Sequence, residues 1–180
     1  MSESPGQVQE LSIPQSGSSP WLLPYAQSDG AWIVSDTLVS GFYDVLDDEG
    51  TIETVFGDQI PTAERFLTFL KDSENVPVFI IRDTIVGVAW LNRIVKNHAC
   101  AHFAHTKAIK GVSIQVGRMV LDYWFSFPGK TGPLFDVLVG NIPASNKLAI
   151  RYIKKLGFFE IGEIPHVAPD GAMSISYKVR

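Results

Sequence analysis

The sequence predicts one α/β (α+β) domain in which a mixed, mostly antiparallel twisted sheet is flanked by helices. Apolar residues recur with a helical period in several stretches, and short β-branched runs between breakers indicate strands. The resulting order is ααβββαβαββ, which lacks the strict strand–helix alternation of a doubly wound sheet. With 180 residues and 46% hydrophobic residues, the chain can bury a core without disulfide staples.

The first 30 residues differ in composition from the rest, because serine, glycine and proline are frequent among them. Such composition favours flexibility, so we expect an N-terminal arm over residues 1–30 and the folded domain over residues 31–180. The patch Trp21-Leu22-Leu23-Pro24-Tyr25 is an exception within the arm. It either docks on the folded body or serves a partner, and docking in cis is the simpler interpretation.

Two amphipathic helices are expected next. Ser35 or Asp36 can cap the first of them. Its apolar positions follow the spacing i, i+4, i+7 and i+8, namely Leu38, Phe42, Val45 and Leu46. The second helix begins after Pro61. Its apolar face comprises Phe66, Phe69 and Leu70.

Three sequential antiparallel strands should follow these helices. Apolar runs over residues 78–81 and 85–90 flank the turn Arg82-Asp83-Thr84, a pattern typical of a hairpin. A third strand is expected over residues 99–106. Together the three strands form a meander.

The helical period then returns from near Val112 and stops at Pro128-Gly129. A strand is expected over residues 134–139, followed by a helix over residues 145–156 that ends at Gly157. The two closing strands are residues 158–164 and 173–179.

Composition excludes several classes of function. Fifteen basic against nineteen acidic residues give a net charge of −4, so we expect no nucleic-acid partner. No apolar run reaches the roughly 20 residues of a membrane span, and the N-terminus lacks the pattern of a secretory signal. We therefore expect a cytoplasmic protein without a membrane partner. Cys100 is the only cysteine, which excludes an internal disulfide.

Three histidines, His98, His102 and His105, lie close together in the sequence. On a strand, His98 and His102 share one face while His105 points away, so three ligands do not converge. We predict no metal site.

The element order and two stretches resemble the GCN5-related N-acetyltransferase (GNAT) superfamily. The stretch from Asn146-Lys147-Leu148-Ala149 to Lys155-Leu156-Gly157-Phe158 resembles the family's late helix, and the hairpin ending Ile85-Val86-Gly87 resembles its second and third strands. The resemblance implies an acyl-CoA-dependent N-acyltransferase. It would transfer the acetyl group of acetyl-CoA directly to a primary amine of a small molecule or peptide. The cofactor would lie in a V-shaped split between the strands over residues 99–106 and 134–139.

The resemblance also implies which residues hold acetyl-CoA. The family's pyrophosphate loop aligns with Lys110-Gly111-Val112-Ser113-Ile114-Gln115, where Ser113 and Gln115 replace small residues of the family. Free amides and the positive dipole end of a helix suit a pyrophosphate there. Phe103 and His105 lie on the strand that pairs with the pantetheine arm in the family, and Asn146 matches its asparagine near the thioester.

The candidate catalytic residues are Tyr152, His102 and His105. The family's tyrosine acid aligns with Ile153, so Tyr152 lies one position early and either reaches the thiol or packs in the core. The strand over residues 99–106 contains no Asp or Glu, which leaves His102 and His105 as titratable groups near neutral pH. Each histidine serves either the reaction or the fold.

These departures keep a second function open, a catalytically impaired binding or scaffold protein with the same fold. The arm with Trp21 and Tyr25 would then serve a partner, for example a second copy of the chain in a homodimer. The enzyme remains the favoured hypothesis, because direct transfer gains much of its rate from positioning alone.

Overall fold

The computed structural model describes residues 19–28, 31–57, 59–168 and 171–180. The strands are β1 (Trp21–Pro24), β2 (Gln27–Ser28), β3 (Ala31–Trp32), β4 (Val76–Ile81), β5 (Ile85–Val95), β6 (His98–His105), β7 (Val137–Pro143), β8 (Phe159–Ala168) and β9 (Gly171–Val179). The helices are α1 (Asp36–Asp48), α2 (Thr51–Phe56), α3 (Ala63–Lys71), α4 (Ser113–Phe125) and α5 (Lys147–Lys155), and a 3₁₀ turn covers Lys107–Ile109.

Seven strands form one sheet in the order β1-β4-β5-β6-β7-β9-β8. The pairing of β6 with β7 is parallel, and the other pairings in this sheet are antiparallel. The predicted mixed sheet is therefore confirmed. The predicted order runs intact from α1 to β9, with the short helix α2 added between the two predicted helices. No helix in the described ranges is long and apolar enough to cross a bilayer.

Each face of the sheet carries its own apolar core. Side chains alternate along β4 and β5, so Phe79, Val88 and Trp90 pack on one face with residues of α1 and α3. Val78, Ile80 and Leu91 pack on the other face with residues of α4. The faces are named here the α1–α3 face and the α4–α5 face. This alternation decides on which side of the sheet each residue of β6 acts.

The apolar side of α1 differs from the prediction. Ser35 caps the helix as expected by accepting a hydrogen bond from the Leu38 amide, yet Leu38 and Val45 are 46% and 43% exposed. The buried residues are Val39, Phe42, Tyr43 and Leu46. Tyr43 extends the buried stripe because its hydroxyl donates a hydrogen bond to a carbonyl and so tolerates burial.

The strand predicted over residues 134–139 begins three residues later, at Val137. Phe135 is buried in the core, and the Leu134 amide donates to the Phe127 carbonyl at 2.8 Å, so this part of the run closes a turn. The Asp136 carboxylate pairs with Arg180 at 2.9 Å, away from the sheet interior. A turn contact and an ion pair with Arg180 therefore replace strand pairing here.

The apolar patch near the N-terminus docks in cis. β1 pairs with β4 in the register Trp21↔Ile81 to Pro24↔Val78, and Tyr25 is buried in the core of the α1–α3 face. Residues 21–28 thus belong to the folded body, although the predicted arm extended to residue 30. The remainder of that predicted arm, residues 1–18, lies outside the described residues.

Candidate active site

The sheet opens between β6 and β7. The two strands pair only over His98–Val137, Ala99–Leu138 and Cys100–Val139, and beyond this point their paired residues end. β6 continues to His105 beside β5, while β7 continues to Pro143 beside β9. The V-shaped split expected from the resemblance is therefore present, with its vertex at Cys100 and Val139.

A cleft of about 490 Å³ occupies this split. Residues 101–105 of β6 and residues 140–143 of β7 line its sides. Thr51 and Thr54 of α2 reach it from the α1–α3 face, whereas Gly117 and Leu121 of α4 reach it from the α4–α5 face. The cleft is thus lined by side chains from both layers.

The first turn of α4 lies at one end of the cleft. Its N-cap is Val112, whose side chain cannot accept a hydrogen bond, and Gly111 before it has φ +92. The first amides of a helix have no intrahelical partner, so this turn offers donors to an anion. Of the six predicted loop residues, Ser113 lines the cleft. Lys110, Gly111 and Gln115 are exposed, and Val112 and Ile114 pack against the core.

Tyr152 on α5 is hydrogen-bonded to this turn. Its hydroxyl donates to the Ser113 carbonyl at 3.0 Å, and its ring stacks on Phe103 with centroids 5.8 Å apart. Burial raises the pKa of the Tyr152 hydroxyl, so it stays protonated. A Cβ at Gly117 would collide with this hydroxyl and lie 2.7 Å from Leu156, which explains the glycine inside α4. To act as the predicted acid, Tyr152 would have to give up the hydrogen bond that its hydroxyl donates to the Ser113 carbonyl.

Phe103 and His105 share the α4–α5 face of β6, as alternation predicted, with ring centroids 5.3 Å apart. His105 donates from Nδ1 to the Thr106 carbonyl at 3.0 Å, so Nδ1 carries a hydrogen. Asn146 caps α5 by accepting from the Ala149 amide at 3.0 Å. Its side-chain NH₂ therefore remains the group that can donate to a ligand.

His102 lines the cleft from the opposite face of β6. Its ring stacks on Trp90 with centroids 5.1 Å apart and an interplanar angle of 7°, and Nε2 lies 3.0 Å from Asn92 Oδ1. Burial, assisted by the nearby Arg93 cation, lowers the pKa of His102 to about 4. The imidazole is therefore neutral at physiological pH.

The lowered pKa makes a prediction about stability. Unfolding returns the pKa of His102 to its ordinary value of 6.5, so the unfolded chain binds the proton more tightly. The unfolding free energy is therefore not reduced by protonation of His102 above pH 6.5, and it falls as pH drops from 6.5 toward 4. We expect a loss of about 2 kcal/mol in unfolding free energy between pH 7 and pH 5. Urea denaturation of the wild type and of His102→Gln checks this, since the variant should lose less.

Six of the residues predicted from the sequence line the cleft, namely Tyr152, His102, His105, Phe103, Ser113 and Asn146. The sequence analysis did not predict other lining residues, among them Glu49, Thr51, Thr54, Gly117 and Gly140. A glycine inside a strong helical pattern was the available signal for Gly117. Among the described residues, no group of three or more His, Cys, Asp or Glu side chains could hold a metal ion.

The GNAT fold has one parallel pair of strands that splay apart inside an otherwise antiparallel sheet, and a helix starts beside the split. This chain has that fold. The structure is similar to aminoglycoside acetyltransferase AAC(6')-Ib in complex with coenzyme A and kanamycin, with a TM-score of 0.66, 15% identity, and coverage of 90% of this chain and 95% of that chain.

Two further solved structures share the fold. Spermidine N-acetyltransferase from Vibrio cholerae in complex with CoA and spermine has a TM-score of 0.66 and 13% identity over 88% of this chain and 95% of that chain. A GNAT-family acetyltransferase from Bacillus anthracis has a TM-score of 0.64 and 13% identity over 81% of this chain and 90% of that chain. No protein-family model and no curated protein matches the sequence.

Proposed function

We propose that this protein is an acyl-CoA-dependent N-acyltransferase that transfers an acetyl group from acetyl-CoA to a primary amine. The observation that carries the proposal is the split between β6 and β7, which leads to the first turn of α4. An extended chain can pair with the free edge of β6 in the way another strand would. The helix start in the same site can bind an anion. Acetyl-CoA contains both an extended arm and an anionic pyrophosphate in one molecule.

In this arrangement the pantetheine arm lies along residues 101–105 and the pyrophosphate lies at the amides of the first turn of α4. Asn146 donates to the arm from its free NH₂, and Phe103 and His105 contact it from the α4–α5 face. Lys110 adds a local positive charge to a chain whose net charge is −4. Tyr152 holds the phosphate-binding turn in place through the Ser113 carbonyl.

The acceptor amine enters from the α1–α3 face, where His102 lies. The nitrogen of the neutral form of the amine attacks the thioester carbonyl and forms the C–N bond, and the C–S bond breaks. In this proposal the nitrogen passes a proton to neutral His102 as the amide forms, and the departing thiolate takes up that proton. Two of the similar structures are complexes with CoA and an amine, which is kanamycin in one and spermine in the other. A small cationic amine is accordingly the acceptor class to test first.

Binding of CoA tests the proposal. At 100 times Kd, CoA should add about 2.7 kcal/mol to the unfolding free energy, which raises Tm by roughly 5–10 °C for a chain of this size. Differential scanning fluorimetry with CoA and acetyl-CoA measures the shift. An unchanged Tm at millimolar ligand would contradict the proposal.

Gln115→Glu locates the phosphate site. A carboxylate in the first turn of α4 favours the helix dipole, so the free protein should keep its Tm. The same charge repels the pyrophosphate, and we expect CoA affinity to fall at least about tenfold. Gln115→Ala is the matched control, with near-normal affinity. Equal affinity of both variants would place the phosphates elsewhere.

Two observations favour the second candidate, a binding protein without turnover. The Tyr152 hydroxyl donates its proton to the Ser113 carbonyl, and Ile153 occupies the position of the family's tyrosine acid. CoA binding without thiol release from acetyl-CoA, in the presence of either kanamycin or spermine, would support this candidate. Measurable release would exclude it.

A further inference from the structure

Asn92 and Trp90 form the immediate surroundings of His102 on the α1–α3 face. Trp90 is the direct cross-strand partner of His102, and Asn92 pairs with Cys100, two residues before His102 on β6. Asn92 is therefore the diagonal neighbour of His102 on the same face, within reach of its ring. The observed Nε2–Oδ1 distance of 3.0 Å is that of a hydrogen bond.

The partner atom decides the state of the imidazole. An amide oxygen can only accept, so Nε2 must carry the hydrogen, and Nδ1 of the neutral ring is left with the lone pair. The stack on Trp90, nearly parallel at 7°, restricts rotation of the ring. Trp90 thus sets the orientation of the His102 ring, and Asn92 sets its tautomer.

We propose that Asn92 is a positioning residue that holds His102 in its Nε2–H form and thereby makes Nδ1 the atom that accepts the proton from the attacking amine. The inference rests on the proposed transferase function and adds a residue and an atom to it. Asn92 itself does not touch the amine in this scheme.

An amide and a carboxylate at position 92 would act differently on the ring. A carboxylate would also accept from Nε2–H, but it would stabilise the imidazolium and so raise the pKa of His102. The neutral amide orients the ring without that charge. Other charged groups lie near this face. Arg93 on β5 disfavours the imidazolium, and Glu53 on α2 is exposed. Glu49 lines the cleft, where its carboxylate accepts from the Lys107 amide at 2.6 Å.

The structural consequence can be measured without turnover. Long-range ¹H–¹⁵N correlation NMR of the histidine rings reports which nitrogen carries the hydrogen, and the His102→Gln spectrum assigns the His102 signals. The wild type should show hydrogen on Nε2 and a lone pair on Nδ1 at pH 7. Asn92→Ala should show a mixture of both tautomers, whereas Asn92→Asp should keep the Nε2–H form and titrate at higher pH.

The kinetic consequence is a change in kcat with intact cofactor binding. With acetyl-CoA and spermine as probes, Asn92→Ala should lower kcat about tenfold, and the CoA-induced Tm shift should stay within error. Asn92→Asp should move the acidic limb of the pH–rate profile to higher pH. Asn97→Ala is the matched control, because Asn97 bonds to Asp136 at 2.7 Å outside the cleft and should leave kcat and tautomer unchanged.

The outcomes separate the two proposals. A wild-type ring with hydrogen on Nδ1, or an Asn92→Ala variant with unchanged tautomer and kcat, overturns the role of Asn92 while the transferase function stands. Absence of a CoA-induced shift in every variant overturns the transferase function and the proton-accepting role with it. In that case the tautomer still reports whether Asn92 orients the ring.

Discussion

Replacement of His102 by glutamine should lower kcat by about 10²-fold, the lower end of the range for a positioned general base, because a pKa of about 4 makes His102 a weak base. Glutamine retains a polar group beside Asn92 and comparable bulk against Trp90, so the fold should persist. It offers no basic nitrogen to the amine. Steady-state kinetics with acetyl-CoA and spermine measure kcat, and fluorimetry with CoA shows whether the cofactor still binds.

His105→Gln is the matched control for this change, because His105 lies on the other face of the same strand, beside Phe103. Its loss should raise KM for acetyl-CoA by a few-fold and leave kcat close to wild type. If His105→Gln instead carries the large fall in kcat, the amine approaches from the α4–α5 face and the assignment of the two histidines is reversed.

Gly117→Ala should destabilise the protein by about 1–3 kcal/mol, the range for an added methyl group in a packed site. The new Cβ would meet the Tyr152 hydroxyl and two methyl groups of Leu156, at 2.7 and 2.9 Å. Displaced Tyr152 would release the Ser113 carbonyl, so CoA affinity should fall as well. Urea denaturation and a CoA titration measure the two effects.

Two further variants isolate the cause. Gly117→Ala combined with Tyr152→Phe should regain part of the lost stability, because the nearest clashing atom is gone while Leu156 remains. Gly41→Ala in α1 is the matched control, since nothing lies within 4 Å of a Cβ there. That change should stabilise the helix by up to about 1 kcal/mol. A neutral Gly117→Ala would contradict the tight packing of α4 against α5.

Local patterns predicted most of the elements. The hairpin of β4 and β5, the start of α1 at Ser35 and the end of α5 before Gly157 follow from turn and cap chemistry within a few residues. The apolar side of α1 was predicted in part. Phe42 and Leu46 are buried as expected, whereas Val39 and Tyr43 are buried in place of Leu38 and Val45. The start of β7 was wrong because a turn contact of Leu134 with Phe127 and an ion pair of Asp136 with Arg180, which is distant in the sequence, hold that run outside the sheet.

The candidate site was predicted in part, because only its local features can be derived from the sequence. Alternation along β6 placed Phe103 and His105 on one face and His102 on the other, since side chains on a strand alternate whatever its neighbours are. Neither the bond from Asn92 to His102 nor the bond from Tyr152 to Ser113 has a local signature. Both join residues at least ten positions apart.

The sequence by itself determined a mixed sheet with its order of helices and strands, because hydrophobic period, caps and breakers act over a few residues. It also determined which residues share a face of β6. Only the tertiary structure decided where the sheet splits, how α4 and α5 approach one another at Gly117, and which nitrogen of His102 is free. These features depend on packing between segments far apart in the chain, where geometry rather than residue type decides which groups meet.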